Sequence, residues 1–275
     1  MKIFAVDNYN KKPTFGINLQ SKKLRFKEDD FYVRIKGYGH HSGWAKKIIE
    51  TADKAVEFIR QYCSAEETLK RISVGVTEAN QLPLDLEKRE HTGILRTKRE
   101  GWINDTNWGI ITKYGNTKKN RYNSYMDRFD YIVQHPLKNP YSDISLTRPR
   151  HIADFGKFLD HANPEYINNA FDKIFTIYKN LYNKYIEKEA TVENLEDINS
   201  SIAEMRWILA HATPWERGSD AISNTFIRAI YKAMGIKAYP LKRGVSLDLE
   251  AYCTNLDEYK KNFVSYFSKK PEIID

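Results

Sequence analysis

A mainly α fold, α+β only through a smaller hairpin- and loop-rich insertion, is what this sequence predicts. Two observations carry that expectation. Around 44–63, 163–187, 191–212 and 219–234, apolar residues recur three and four apart, the period of one buried helix face. Between 73 and 146, Gly75, Pro83, Gly93, Gly101, Gly109 and Gly115 break the chain into short pieces, the pattern of turns and small hairpins. With 275 residues, 41% hydrophobic and 29% charged, the chain can bury a substantial core. Three regions are expected. Residues 1–72 form an N-terminal arm and the first core helices, 73–147 the insertion and candidate partner-binding region, and 148–275 the helical core with the candidate site.

In chain order, residues 1–35 are polar with two apolar pieces, Ile3 to Val6 and Phe31 to Ile35, and suit edge strands or an ordered arm. Gly37 to Gly43 is turn-rich and holds His40 and His41. No third ligand stands at metal spacing beside that pair, so no metal is expected. Ser42 is placed to cap a helix from about Trp44 to Cys63, with Ile48, Ala52, Ala55, Ile59 and Tyr62 inward and Cys63 as a buried thiol. Ser64 to Glu67 forms a capping box for a short helix to about Arg71. Gly93 to Thr97, Trp108 to Tyr114 and Phe129 to Val133 read as hairpin pieces. Lys113 to Arg128 reads as an exposed loop or flap, the kind of polar segment that recognises partners.

Arg148 to Leu159 suits a short helix or helix entry. Asn163 as N-cap and Pro164 at the first position open a long helix to about Glu187. Ile167, Phe171, Ile174, Tyr178, Leu181 and Tyr185 line its inner face. Thr191 caps the next helix, with Leu195, Ile198, Ile202, Met205 and Leu209 inward. A tight loop with Pro214, Arg217 and Gly218 leads to a helix that begins near Ser219 and stops at Gly235, where a left-handed residue is needed. The first amides of a helix lack internal partners and sit at its positive end. A glycine and an arginine fork immediately before them suit a phosphate. The same pattern also fits a helix hairpin whose arginine meets a surface carboxylate.

The segments W-I-L-A-H-A-T-P-W-E-R-G-S-D-A-I, A-M-G-I-K-A-Y-P-L-K-R-G-V-S-L-D-L-E-A and N-L-D-E-Y-K-K-N-F-V-S-Y-F resemble the C-terminal third of the AvrB avirulence-effector family. Asp160-His161-Ala162-Asn163 resembles an Asp-His-x-Asn segment of the same family. Together the matches span residues 160 to 267. The resemblance implies a fold related to the Fic and Doc proteins, in which a helical bundle carries the site. It further implies secretion by bacteria into host cells, and a pocket for a nucleotide-linked donor.

Arg217, His161 and Asp248 fall on family site positions and become the candidate catalytic residues. Gly218, Ser219, Thr97 and His211 are the candidate donor-binding residues. Thr97 stands in for a threonine that the family supplies from its N-terminal half. His211, with Trp215, Glu216 and Gly218, echoes the Fic motif at shifted spacing, so a Fic-type base and a helix-end histidine are both open readings. The donor implied is UDP- or dTDP-rhamnose, with ATP or ADP as the alternative. The partner implied is a host immune or signalling regulator modified on a hydroxyl side chain. A nucleotidyl transferase or a silent adaptor remain the other outcomes.

Other sequence features narrow the classes. The net charge of +8 is scattered in short clusters such as Lys118-Lys119, so nucleic acid is not an expected partner. Cys63 and Cys253 form neither a metal pattern nor a disulfide framework. No stretch reads as a signal peptide or a transmembrane helix. The chain begins Met1-Lys2 rather than Met-Gly, so N-myristoylation is not expected. The expected location is therefore the bacterial cytoplasm, followed by export into the host cell without a cleaved leader.

Overall fold

The computed structural model describes residues 24–35, 41–81, 91–99, 106–114, 124–152, 156–186 and 190–274. The arm before residue 24, Gly37 to His40 and the middle of the expected flap lie outside the described residues. The elements are α1 (Ser42–Arg60), α2 (Ala65–Asn80), α3 (Thr106–Ile111), α4 (Tyr125–Gln134), β1 (Arg148–Ile152), β2 (Gly156–Asp160), α5 (Ile167–Leu181), α6 (Leu195–Ala212), α7 (Ser219–Ala233), β3 (Ile236–Lys237), α8 (Leu247–Tyr252), α9 (Leu256–Asn262) and β4 (Glu272–Ile273). The fold is mainly α, with two two-stranded antiparallel sheets, β1–β2 and β3–β4.

Helices α6 and α7 form the spine. Every residue of α6 from Met205 to Ala212 is buried, and so is α7 from Ile222 to Tyr231 apart from its helix ends. A helix apolar on all sides needs neighbours on all sides. α6 packs against α5, α7, α8 and α9, while α7 packs against α1, α2 and α6. Trp207 on α6 is fully buried, and its indole N–H donates to the Thr254 carbonyl at 2.9 Å. Among the described residues, no helix is long and apolar enough to cross a membrane.

Several helices follow the sequence closely. The Asn163 side chain accepts from the Glu165 amide at 3.2 Å, and Pro164 opens a 3-10 turn that runs into α5. Ile167, Ile174, Tyr178 and Leu181 are buried as the spacing requires. Ser64 accepts from the Glu67 amide at 3.1 Å and starts α2. Gly235 takes φ 75° after α7, and Ile236 behind it is buried.

Elsewhere the structure corrects the expectation. The cap of α1 is His41, whose Nδ1 accepts from the Trp44 amide at 3.1 Å; Ser42 is already helical and turns its hydroxyl to Glu28. α1 ends at Arg60, so Tyr62 and Cys63 leave the apolar face. Tyr62 is 40% exposed and Cys63 half-buried. α2 continues through Gly75 to Asn80 because that glycine is a contact point, not a stop. A Cβ at Gly75 would lie 2.3 Å from Thr51 Oγ1, so its absence lets α1 and α2 approach. Phe31 to Ile35 follows a 3-10 turn at Glu28–Asp30 and joins no strand.

The pieces expected as hairpins at 108–114 and 129–133 form α3 and α4. Ser124 caps α4 through the Asp127 amide at 3.1 Å, and Tyr125, Phe129 and Ile132 bury one face. The hairpin occurs instead at 148–160, where a helix was expected. Pro149 cannot sustain a helix interior, Gly156 turns at φ 82°, and Pro149 pairs with Leu159 on the buried side. Thr191 precedes a 3-10 turn, Val192–Asn194, that leads into α6.

Candidate functional site

The loop between α6 and α7 is built by local constraints. Thr213 closes α6 in the left-handed region at φ 41°, and its hydroxyl donates to the Ala210 carbonyl at 2.8 Å. Gly218, at φ 85°, is the N-cap of α7. A Cβ there would stand 3.1 Å from the Thr92 side chain. Both the angle and the space call for glycine, and the close neighbour is the protein's own residue 92. Ser219 braces the loop: its Oγ accepts from the Trp215 amide at 3.1 Å and donates to the Trp215 carbonyl at 2.9 Å.

Residues 91–99 run alongside this loop. Gly93 N–H donates to Arg217 O at 3.2 Å, Glu216 N–H to Ile94 O at 2.9 Å, and Arg96 N–H to Pro214 O at 2.9 Å. The buried Arg96 guanidinium donates to the carbonyls of Thr213, Ala212, Ala162 and Lys98. It thus occupies the electronegative end of α6, where free carbonyls favour a cation. Thr97, its neighbour, is exposed.

His161 follows β2 directly. Its Nδ1 is buried and has no hydrogen-bond partner in the structure. Burial, then the nearby Arg96 charge, hold its pKa down to about 3, so the ring is neutral at physiological pH. The flanking Ala162 is gripped from both sides, its amide donating to Thr147 Oγ1 at 3.2 Å and its carbonyl accepting from Arg96 at 2.7 Å. Thr147 Oγ1 lies 3.1 Å from Thr213 Oγ1, which lies 3.5 Å from the Tyr252 hydroxyl.

His211 lies in the core with no exposed surface, its ring 4.1 Å from that of Trp207 and 5.7 Å from that of Tyr252. Its two nitrogens stand 3.1 Å from the Thr147 and Ala251 carbonyls. Those carbonyls favour the charged ring, but burial outweighs them and holds the pKa down to about 4. This histidine ties the approach to β1 and helix α8 to α6, out of reach of a dissolved ligand.

Asp248 lies inside the first turn of α8 rather than at its cap, which is Ser246. It is 5% exposed and accepts from Arg206 Nη1 at 2.5 Å. Arg206, fully buried, also pairs with Asp220 through Nη2 and donates from Nε to Asn224 Oδ1 at 3.2 Å. Asn224 in turn donates to Asp220 Oδ2 at 3.1 Å. Burial and then the like charge of Asp248 raise the Asp220 pKa to about 7, against the pull of Arg206. Because 38% of the Asp220 side chain is open, solvent moderates the burial contribution. The repulsion from Asp248 persists, since both carboxyls share one guanidinium.

Arg217 is exposed, and its guanidinium forms no ion pair or hydrogen bond with any described residue. The fold therefore brings the sequence-derived residues to one end of the α6–α7 pair in two layers. Arg217, Gly218 and Thr97 lie at or near the surface, His211 and Asp248 are tied into the network beneath, and His161 stands half-buried beside it with its Nδ1 unpartnered. A cavity of about 40 Å³ borders this network at Thr147, Arg148, Pro149 and Tyr252. A larger one, about 270 Å³, lies elsewhere, between α1 and α2 beside Thr51, Phe58 and Gly75. Among the described residues no three metal-ligating side chains gather at one point.

A family model described as "Avirulence protein" (AvrB/AvrC) matches residues 122–270, more than half of the chain and the whole α6–α7–α8 network. The chain belongs to the AvrB/AvrC avirulence protein family. It is similar to "Avirulence protein B" of Pseudomonas savastanoi pv. glycinea, with 28% identity over 107 residues. That match covers 39% of this chain and 31% of the relative, so the chain spans about a third of that protein's length.

Within this avirulence protein, sequence reasoning missed Arg96, Arg206, Asp220 and Asn224. Buried arginines look like surface residues in a one-dimensional pattern. The available signal was Arg206 inside the apolar run that ends α6. A cation there needs carboxylates from another element, and Asp220 with Asn224 one helical turn later on α7 supplies a matching polar edge.

Proposed function

We propose that this avirulence-family protein transfers a glycosyl group, a deoxyhexose such as rhamnose, from a UDP- or dTDP-linked donor to a hydroxyl side chain of a host protein. Such a role fits an effector that bacteria export into the host cell. The observation that carries the reading is the exposed Arg217 guanidinium, without a partner among the described residues, immediately before the N-terminal amides of α7. A free guanidinium at the positive end of a helix favours a diphosphate, and favours it more as leaving-group charge grows. His161, neutral and carrying an unpaired buried nitrogen, is suited to hydrogen-bond a donor hydroxyl rather than to hold phosphate by charge. Asp248, locked on Arg206, serves to set the electrostatics of the floor.

AMP transfer of the Fic kind is the weaker reading, because its base would be His211, which is sealed between Trp207 and Tyr252. An adaptor that binds a host regulator without chemistry is the remaining alternative; it is favoured by the openness of the surface around Arg217 and Thr97. Incubation with nucleotide-rhamnose and candidate host proteins, read by intact mass, tests these readings. Gain of one deoxyhexose on a substrate hydroxyl supports the proposal. Gain of a nucleoside monophosphate supports the Fic reading, and unchanged mass with retained host-protein binding supports the adaptor.

A further inference from the structure

Asp220, one of the two carboxylates on Arg206, has no part in the roles above. Asp220 and Asp248 come from different helices, α7 and α8, and converge on the two terminal nitrogens of one fully buried guanidinium. They are not equivalent. The Asp248 side chain is 8% exposed and the Asp220 side chain 38%. Asp220 also lies in the first turn of α7, three positions after Arg217 and on the same helix end. The Arg217 guanidinium, exposed and without a partner among the described residues, and the orphaned buried Nδ1 of His161 are independent signs that this end of the molecule meets a ligand.

Resting on the transferase reading, we propose that Asp220 is the base that takes the proton from the acceptor hydroxyl. The O–H bond of the acceptor breaks and its proton passes to an Asp220 carboxylate oxygen. The hydroxyl oxygen forms a bond to the anomeric carbon of the donor. The bond from that carbon to the diphosphate breaks, and its electron pair leaves with the nucleoside diphosphate beside Arg217. Asp248 beneath tunes the base through the Arg206 guanidinium they share. The groups facing Asp220 are Arg206 on α6, Asn224 on its own helix, Asp248 and Tyr252 on α8, and Tyr259 on α9. Burial, then the like charge of Asp248, raise the carboxyl's pKa against the pull of Arg206, toward the range where a general base is effective at neutral pH.

Two measurements test this. Carbon NMR of labelled aspartate carboxyls across pH reads the pair without any turnover. An Asp220 signal titrating near neutrality, and moving down in Asp248→Asn, supports the proposal; titration in the ordinary carboxylate range overturns it. The second is a pH–rate profile for sugar transfer at saturating donor, with donor binding followed by calorimetry. The wild-type rate is expected to rise with pH through about 7, as the base loses its proton. In Asp220→Asn the rate should fall on the order of a hundred- to ten-thousand-fold, with the rising limb gone and donor binding kept. Whatever transfer Asp248→Asn retains should have its rising limb at lower pH. A fully active Asp220→Asn with its limb intact refutes the base. A wild type that binds no donor, or transfers nothing, instead refutes the transferase reading on which the base depends.

Discussion

Acid should loosen this protein through His211. In the folded chain the ring has no exposed surface, and burial holds its pKa at about 4 rather than the ordinary 6.5. The unfolded chain keeps the ordinary value. Below about pH 6.5 the unfolded state therefore binds a proton that the folded state declines, and stability falls as pH falls until both forms are protonated near pH 4. At about 1.4 kcal/mol per pKa unit, the whole window amounts to about 3 kcal/mol. His211→Gln keeps a neutral side chain that can donate to one of the two facing carbonyls, and it removes the titration. Urea denaturation followed by circular dichroism, at several pH values from about 7 to about 4, measures the effect. Wild type should lose about 3 kcal/mol more than the variant across that range. Parallel curves would show that His211 carries its proton in the fold, and the reasoning from burial would be wrong.

Other substitutions probe the scaffold. Arg206→Met leaves Asp220 and Asp248 facing each other without their shared cation; it should cost about 3–5 kcal/mol at neutral pH and less in acid, where the carboxyls are neutralised. Equal stability of variant and wild type at neutral pH would contradict that account. Gly75→Ala should cost about 1–3 kcal/mol by overpacking against Thr51. Gly109→Ala, where a Cβ meets nothing within 4 Å, should be neutral or gain up to about 1 kcal/mol; thermal melting of the two variants side by side shows whether packing separates them.

The readable parts of the sequence were those governed by local chemistry. Asn163-Pro164, Ser64 and Gly235 act on their own helix ends, so their signals survive folding. Apolar spacing in 195–233 identified the α6–α7 spine, and the position of Arg217 before α7 followed from it. What failed depended on distant partners. Gly75 reads as a break until Thr51 is placed beside it. Phe129 reads as a strand residue until Tyr125 and Ile132 share its buried face. Arg148 to Asp160 pairs as a hairpin once Pro149 and Leu159 find the core. In the site, Thr97 was singled out while the buried Arg96 beside it clamps four carbonyls. One residue of register separates the two in sequence, and only the fold distinguishes inward from outward.

The central claim is that the end of α7 at Arg217 takes a diphosphate. Isothermal calorimetry of UDP or dTDP against wild type and Arg217→Ala, both checked for equal melting temperature, tests it most directly. A charge-assisted hydrogen bond is worth about 1.5–3 kcal/mol, so the variant should bind at least about ten-fold more weakly. Equal, tight binding by both proteins, or no binding by wild type, would contradict the claim.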